Sequence, residues 1–556
     1  MAISAENLLQ HMAVPQKPDV YQIGCFERRV TIYSQQVRAL NLVFALFACK
    51  KLQSTSRVAV VGGGAAGLTA TVALARCGAT VTLLERLDAV IPFQSGNLTR
   101  WLHPHIYEWP EEGYRNPDSG LPLLNWSADY AANVALVLRD EFYRHVRETK
   151  AIKIQKGVRN VKPPHTGSSG RRLEWNDSGG RFRSESFDAV ILAVGFGLEG
   201  SALCPVQSYW RNDDLAQFEI DAERVRRYLV SGCGDGGLVD LLRIRISDFR
   251  HGAILDELIG WHPDRAQVEE QLLLTEETAR AMASRGEDPS DFLFDEYQRI
   301  RPRYIDDNIA TRIRGDTSAT LNGPDQFPCN LNSSILNRFL ASALIGLRHD
   351  SVLGADWWRG KISHVGQDGT GCHVRLENGE LRDFDRVILR HGTRAVISHW
   401  MESSDVELVR SRNALDQTRA PAWPDGFFGE TIVQSRLHSR RLARQIYVSI
   451  PNGAGQRDSK IPLDIRIFSR LDELLDAIYF ALHPRVPAYT YGKTWRLRNK
   501  ASGVDLVHER ETADDPRFGE FMPDLRTLED VGILPGDELE VVLLMRTPPR
   551  MPGRIP

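Results

Sequence analysis

The residues best suited to binding chemistry lie in one short stretch, Val58-Ala59-Val60-Val61-Gly62-Gly63-Gly64-Ala65-Ala66-Gly67. Gly62, Gly64 and Gly67 stand at G-x-G-x-x-G spacing, directly after an apolar run and before a helical pattern. Each glycine has a separate physical task there. Gly62 permits a tight turn, Gly64 lets backbone approach a diphosphate, and Gly67 lets the helix pack closely on the strand. The start of the helix presents free N–H groups and the positive end of its dipole to an anion. Gly63, Ala65 and Ala66 complete the small-residue lining. Glu85 follows at the end of Thr80-Val81-Thr82-Leu83-Leu84, where a carboxylate accepts hydrogen bonds from ribose hydroxyls and repels a 2′-phosphate. The chemistry expected is dinucleotide binding, with NADP excluded at this turn.

A second glycine-rich turn, Gly232-Cys233-Gly234-Asp235-Gly236-Gly237, follows the strand pattern Tyr228 to Ser231. Gly232, Gly234 and Gly237 satisfy the same spacing, so NAD(P)H binding is one reading. A structural relic is the other: no strand ending in a charged residue follows at about 20 residues, and Asp235 and Asp240 put negative charge where a diphosphate would sit. Within Arg100-Trp101-Leu102-His103-Pro104-His105-Ile106-Tyr107-Glu108-Trp109-Pro110, His103 and His105 are candidate acid/base groups, because imidazole titrates near neutrality. The competing reading is a rigid loop packed by Pro and Trp, its histidines satisfied. Two histidines at i, i+2 without a carboxylate cluster do not make a metal site, and none is expected.

These residues need elements to position them. Arg57 to Val61, the helix from about Ala65 to Arg76, and Thr80 to Leu84 form a βαβ pattern for a parallel sheet. Ile152 to Ile154 begins a further strand, and Phe187 to Ala193 is a buried one ending at Gly195. Phe384 to Leu389 matches Phe187 to Leu192 at Phe, Asp, Val-Ile and Leu, which reads as a degenerate duplication of one dinucleotide-binding unit. Residues 1–20 read as a loose leader, and 30–50 as an amphipathic helix whose face of Gln35, Gln36, Arg38 and Asn41 is solvated or packed. The expected organisation is a leader and helix over 1–55, a first unit over 56–225, a second unit with a helical insertion over 226–400, a linker over 401–443, a separate domain over 444–548 and a tail over 549–556.

The run from Val58 through Gly67-Leu68-Thr69-Ala70, followed by Leu83-Leu84-Glu85-Arg86, resembles the flavoprotein superfamily of glutathione-reductase-like enzymes, flavin monooxygenases and amine oxidases. So does Phe187-Asp188-Ala189-Val190-Ile191-Leu192-Ala193-Val194-Gly195, where Val194 replaces the family's Thr. The resemblance covers about residues 57–200. It implies a Rossmann-type α/β fold and FAD as cofactor, with Gly62, Gly64, Gly67, Glu85, Arg86 and Gly195 as the residues carried over. Val158 matches the strand bordering the adenine. The Arg390-His391-Gly392 stretch departs from the Gly-rich end that this family's second repeat carries. Arg314-Gly315-Asp316-Thr317 resembles the Gly-Asp pair that many flavoproteins use at the ribityl chain, but a surface turn is the expectation.

The C-terminal stretch from Gln445 has the order ββαβ…β, and Leu525 to Val541 resembles the turn before the last strand of a ubiquitin-like β-grasp domain. That implies an α+β module serving as a docking surface for a protein partner. The chain ends Gly553-Arg554-Ile555-Pro556, without a terminal Gly-Gly.

Composition narrows the function classes. The chain has 556 residues, 42% hydrophobic and 25% charged, with a formal net charge of -3. That balance gives no electrostatic case for nucleic acid. The seven cysteines form no C-x-x-C pair, which excludes a zinc ribbon, a disulfide framework and the disulfide-reductase branch of the resembling family. The apolar run Leu40 to Cys49 is shorter than the roughly 20 residues a bilayer demands, and no signal peptide pattern opens the chain. A cytoplasmic protein without a membrane partner is expected. The reading that follows is an FAD-dependent oxidoreductase of oxidase or monooxygenase type with a ubiquitin-like interaction domain. The alternative is a flavin-binding redox sensor or scaffold, for example in a bacterial ubiquitin-like or defence pathway, without ordinary turnover.

Overall fold

The computed structural model describes residues 3–26, 30–111, 113–167, 170–197, 199, 201, 203–204, 207–217, 225–259, 262–350, 354–369, 371–392, 396–413, 418–429, 445–450, 459–468, 470–482, 486, 490–500, 503–508, 524, 526–528, 530–533 and 536–544. They fall into two compact units, one of residues 1–211 with 226–432, the other of 212–225 with 433–556.

The larger unit opens with α1 (Ala5–Met12), β1 (Val20–Gln22) and α2 (Ile32–Ala48), then β2 (Arg57–Val61), α3 (Ala65–Arg76) and β3 (Thr80–Leu84). Short strands β4 (Trp101–Leu102) and β5 (Asp129–Tyr130) precede α4 (Ala131–Glu148) and β6 (Ile152–Gln155). A three-stranded meander, β7 (His165–Gly167), β8 (Gly170–Asn176) and β9 (Phe182–Phe187), leads into β10 (Ala189–Leu192). The resulting sheet is parallel, in the order β1-β10-β2-β3-β6.

The period-two alternation of a strand decides where its apolar residues go. Val58, Val60, Val81, Leu83, Ala189 and Ile191 face α1, α2, α3 and α4. Ala59, Val61, Leu84, Val190 and Leu192 face Leu173, Trp175, Phe187, Trp400 and Met401. Both faces are covered, so these strands read as continuous apolar runs. Each fully buried Val or Leu contributes about 1.5–3 kcal/mol.

The second half repeats this plan. It consists of β11 (Arg226–Ser231), α5 (Asp235–Arg245), helices α6 (His251–Ile254), α7 (Arg265–Ser284), α8 (Ser290–Ile300) and α9 (Arg303–Ala310), then β12 (Thr317–Gly323), α10 (Ile335–Asp350) and β13 (Asp356–Arg359). A second meander, β14 (Ile362–Asp368), β15 (Gly371–Leu376) and β16 (Leu381–Phe384), enters β17 (Arg386–Leu389), and α11 (Ser403–Asn413) follows. The sheet order is β13-β12-β11-β17, all parallel. The likeness of the halves reaches single hydrogen bonds. Arg57 N–H donates to Asp188 Oδ2 at 2.8 Å, and Arg227 N–H to Asp385 Oδ2 at 2.7 Å.

In the smaller unit, β18 (Gln445–Ile450) and β19 (Ser459–Asp464) form an antiparallel pair, followed by α12 (Leu471–Leu482), β20 (Trp495–Asn499) and β21 (Glu538–Leu543). The sheet order is β19-β18-β21-β20, with β18 parallel to β21 and β20 antiparallel to it.

Several expectations change. Residues 1–20 are no loose leader: Leu8, Leu9 and Met12 are buried, and β1 adds a strand to the sheet beside β10. The polar face of α2 is buried as well. Gln36 receives Trp126 Nε1–H at 2.7 Å and donates to Leu124 O, while Asn41 donates to the carbonyls of Thr418 and Ala420. Of the two readings left open, solvated or packed, the packed one holds: this face is a set of hydrogen bonds to crossing chain. The stretch read as a linker contains α11, with Asp405 and Val409 buried. Residues 212–217 and 225, assigned by sequence to the first unit, cluster with the C-terminal one. The basic stretch Arg436, Arg440, Arg441 and Arg444, expected as a solvated interdomain segment, Ser469, expected with Asp472 to cap the helix after β19, and the 549–556 tail lie outside the described residues.

Candidate functional site

The first glycine-rich turn joins β2 to α3. Gly62 takes φ +111°, and a Cβ there would come 2.2 Å from Ala193 O. A Cβ on Gly67 would come 1.9 Å from Gly62 O. Both positions therefore exclude any side chain. Gly64 is the N-cap of α3 with no side-chain cap, and a Cβ there would meet nothing within 4 Å. Ala65 and Ala66, the first residues of α3, are half-buried.

Glu85 follows β3 directly and is 8% exposed. Its Oε2 accepts Gly63 N–H at 2.6 Å and its Oε1 accepts Leu87 N–H at 2.7 Å. A carboxylate offers about four lone-pair sites, so each oxygen retains a position for a hydroxyl donor. These amides also fix the side chain against the turn, as a preorganised acceptor demands. Val158 is buried and its N–H donates to Glu85 O at 3.0 Å, which puts the stretch after β6 alongside. Arg86 is exposed. Gly195, beyond β10, takes φ +70° with open space around its Cβ position.

The residues present fit a dinucleotide. A glycine cradle faces open space at a helix start, and an acceptor stands one strand across. Thr99 Oγ1, just before β4, and Trp101 Nε1, in β4, are buried with no hydrogen-bond partner among the described residues, and acceptors of a bound group would satisfy such atoms.

The two histidines serve the loop itself. His103 Nδ1 accepts the N–H groups of His105 and Ile106 at 3.2 and 3.1 Å, capping the short turn Ile106–Glu108. Burial lowers its pKa to about 4, helped by the neighbouring His105 and His251. His105 Nε2 lies 3.0 Å from Asp118 O, its ring edge-on to Tyr33 at 4.5 Å. Burial depresses its pKa too. Both imidazoles are neutral and engaged with backbone, as in the rigid-loop reading. Trp109 is fully buried and donates to Glu269 Oε1 at 2.9 Å.

The second turn has the same frame: Gly232 at φ +121°, and a Gly237 Cβ 1.9 Å from Gly232 O. Its surroundings differ. Arg100 forms a fully buried ion pair with Asp240, and Arg390 Nε reaches the same carboxylate at 2.8 Å. Tyr209 lies under both guanidiniums, 3.9 Å from that of Arg100 and 5.6 Å from that of Arg390. Glu199 joins through Arg390 Nη1 at 3.1 Å. Sequence reasoning missed this network. Its trace was Arg390 standing where the resembling family has small residues.

The turn at Arg314–Thr317 is a buttress: Arg314 is buried and paired with Asp316 at 2.6 Å, immediately before β12. Among the described residues no group of three or more His, Cys, Asp or Glu side chains could hold a metal ion, and no helix is long and apolar enough to cross a membrane.

Residues 57–180 match the family of FAD dependent oxidoreductases. The matched stretch starts at the first residue of β2 and contains Gly62 to Gly67, Glu85, Arg86, Val158 and both histidines; Gly195 and the second turn lie beyond it. No curated protein matches the chain. Solved structures similar to it include Tmm from a Pelagibacter species (12% identity, covering 63% of this chain and 64% of that one, TM-score 0.30). Others are T. acidophilum thioredoxin reductase (14%, 62% and 80%, 0.32) and the bacillithiol disulfide reductase Bdr from Bacillus cereus (13%, 63% and 82%, 0.34).

Proposed function

We propose that the chain binds FAD at the first turn and acts as an FAD-dependent oxidoreductase of oxidase or monooxygenase type. The observation that carries this is the pairing of the Gly62–Gly67 cradle, open in front of Gly64, with a Glu85 carboxylate preset by two backbone amides. The diphosphate would sit at the start of α3, held by N–H groups and the helix dipole. Glu85 would hold the adenosine ribose. Val158 and Gly195 would border the two ends of the cofactor, and Arg86 would lie at its solvent side. FAD supplies two-electron transfer when bound; the chain orients it and excludes water.

We read the smaller unit as a ubiquitin-like β-grasp domain used for docking. Its support is a sheet whose first and last strands run parallel at the centre, with α12 the helix between the two strand pairs among the described residues.

A second reading is a flavin-bound sensor or scaffold without turnover. Its support is that His103 and His105 are both engaged with backbone, which leaves that loop without a poised imidazole base. The experiment for both is to purify the protein, record its flavin spectrum and identify the nucleotide released by acid. A yellow protein releasing FAD supports the site. A protein that stays colourless when FAD is supplied overturns it. Anaerobic bleaching by a member of a substrate panel distinguishes enzyme from scaffold.

A further inference from the structure

The registers of the two sheets make the halves comparable residue by residue. Val61 pairs with Leu84 on one side and Leu192 on the other; Ser231 pairs with Asn322 and Leu389. Gly62 N–H donates to Leu84 O at 2.8 Å and Gly232 N–H to Asn322 O at 2.9 Å. Glu85 therefore corresponds to Gly323, Gly63 to Cys233, Ala65 to Asp235 and Ala193 to Arg390.

At each of these positions the second turn is filled by the chain itself. A side chain at Gly323 would meet Cys233 Sγ at 2.7 Å and the Trp357 ring at 2.9 Å, so the volume that Glu85 uses in the first half is taken by a thiol and an indole. Trp357 is held there by its Nε1–H to Gln326 O at 2.8 Å. Asp235 occupies the first turn of α5. Its Oδ1 accepts Ser334 N–H at 2.8 Å, Ser334 Oγ–H at 2.9 Å and an Asn337 amide hydrogen at 2.7 Å. A carboxylate thus stands where a diphosphate would seek the helix start, and it ties α5 to α10. On the remaining side the Tyr209 ring lies 3.5 Å from where a Gly236 Cβ would be, with Arg390 Cδ at 3.9 Å. The ribose acceptor is replaced, a carboxylate stands on the first turn of the helix and an aromatic ring lies beside it, although a Cβ at Gly234, like one at Gly64, would meet nothing within 4 Å.

We propose that the second turn is a self-filled nucleotide site: its glycine frame is kept, Asp235 takes the role of the anion, and no nicotinamide nucleotide binds there. Resting on the FAD reading, this assigns the reduction of FAD to the organic substrate, which is oxidised by the same two electrons that FAD gains. It favours the oxidase form of that reading over an NAD(P)H-fed monooxygenase.

The test is a fluorescence titration of NADH and NADPH into the full-length protein, beside anaerobic spectra of the same mixtures with dithionite as the positive control for bleaching. The expected result is no saturable nucleotide signal, no bleaching by either nucleotide and full bleaching by dithionite. Saturable binding that is lost in Gly237→Val overturns the self-filled site; bleaching by either nucleotide that survives Gly237→Val overturns the assignment of FAD reduction to the organic substrate. Asp235→Asn keeps the shape and removes the charge, which guards against a Gly237→Val protein that does not fold. The self-filled site predicts a lower melting temperature for Asp235→Asn and still no binding. An unchanged melting temperature for Asp235→Asn overturns the anion role given to Asp235. The fluorescence readout needs no flavin, so a colourless protein defeats the FAD reading and leaves this test intact.

Discussion

At the Gly62–Gly67 turn the chain keeps the space before α3 to two alanines and sets a carboxylate one strand across. At the Gly232–Gly237 turn it sets the carboxylate on the helix itself and a glycine one strand across. The glycine frames are alike, down to a 1.9 Å approach of the sixth residue's Cβ position to the first residue's carbonyl. What differs is the charge and bulk around the frame. Glycine spacing thus encodes the backbone shape of a strand-to-helix turn, and the neighbours decide whether that shape faces a ligand or the protein's own side chains.

The sharpest way to break this comparison is a matched pair of substitutions. Gly67→Val and Gly237→Val create the same collision, costing about 1–3 kcal/mol of stability each. Only Gly67→Val should abolish copurification of FAD; flavin content per folded molecule, read from the absorbance ratio, should be unchanged in Gly237→Val. Equal loss in both variants would mean that the turns are not functionally distinct.

Next in size is Asp240→Ala. It removes the carboxylate that the buried Arg100 and Arg390 guanidiniums share, with an expected cost of about 3–5 kcal/mol in denaturant unfolding. A neutral result would show that this network does not brace the second turn.

Glu85→Gln should weaken FAD about 10- to 100-fold, since a carboxylate's hydrogen bonds contribute about 1.5–3 kcal/mol and the amide must present an N–H where two N–H groups now donate. Flavin dissociation followed by fluorescence checks it, and unchanged affinity would remove Glu85 from the site.

The smallest effect concerns pH and touches both halves. His103 and His251 have pKa values lowered from 6.5 to about 4, chiefly by burial. The folded state refuses a proton that the unfolded state accepts, so stability is full above about 6.5 and falls as pH drops toward about 4. Each imidazole accounts for up to about 3 kcal/mol of that loss. Denaturant unfolding at about pH 7 and about pH 5 should show the fall, and His103→Gln should flatten it in part. An unchanged slope would mean that His103 is solvated in the folded state.

Much of the first half was legible before any coordinates, because its signals are local. Apolar runs next to glycines, an acidic residue at a strand end and helical spacing all act within a few residues, and β2, α3, β3 and β10 lie where those signals put them. The second half was harder for a physical reason. Four helices separate α5 from β12, so the strand that completes the βαβ unit arrives far from its turn. Burial was likewise undecided where the partner is distant in sequence: Gln36, Arg38 and Asn41 fit a solvated or a packed face until Trp126 and the 418–422 stretch cover them.

By itself the sequence determined the two glycine turns, their flanking strands and the carboxylate at Glu85, since backbone freedom and strand-end position are properties of neighbouring residues. Only the tertiary structure decided what surrounds each turn. Tyr209, Trp357, Ser334 and Arg390 are distant in sequence, and they meet the Gly232–Gly237 turn through folding alone.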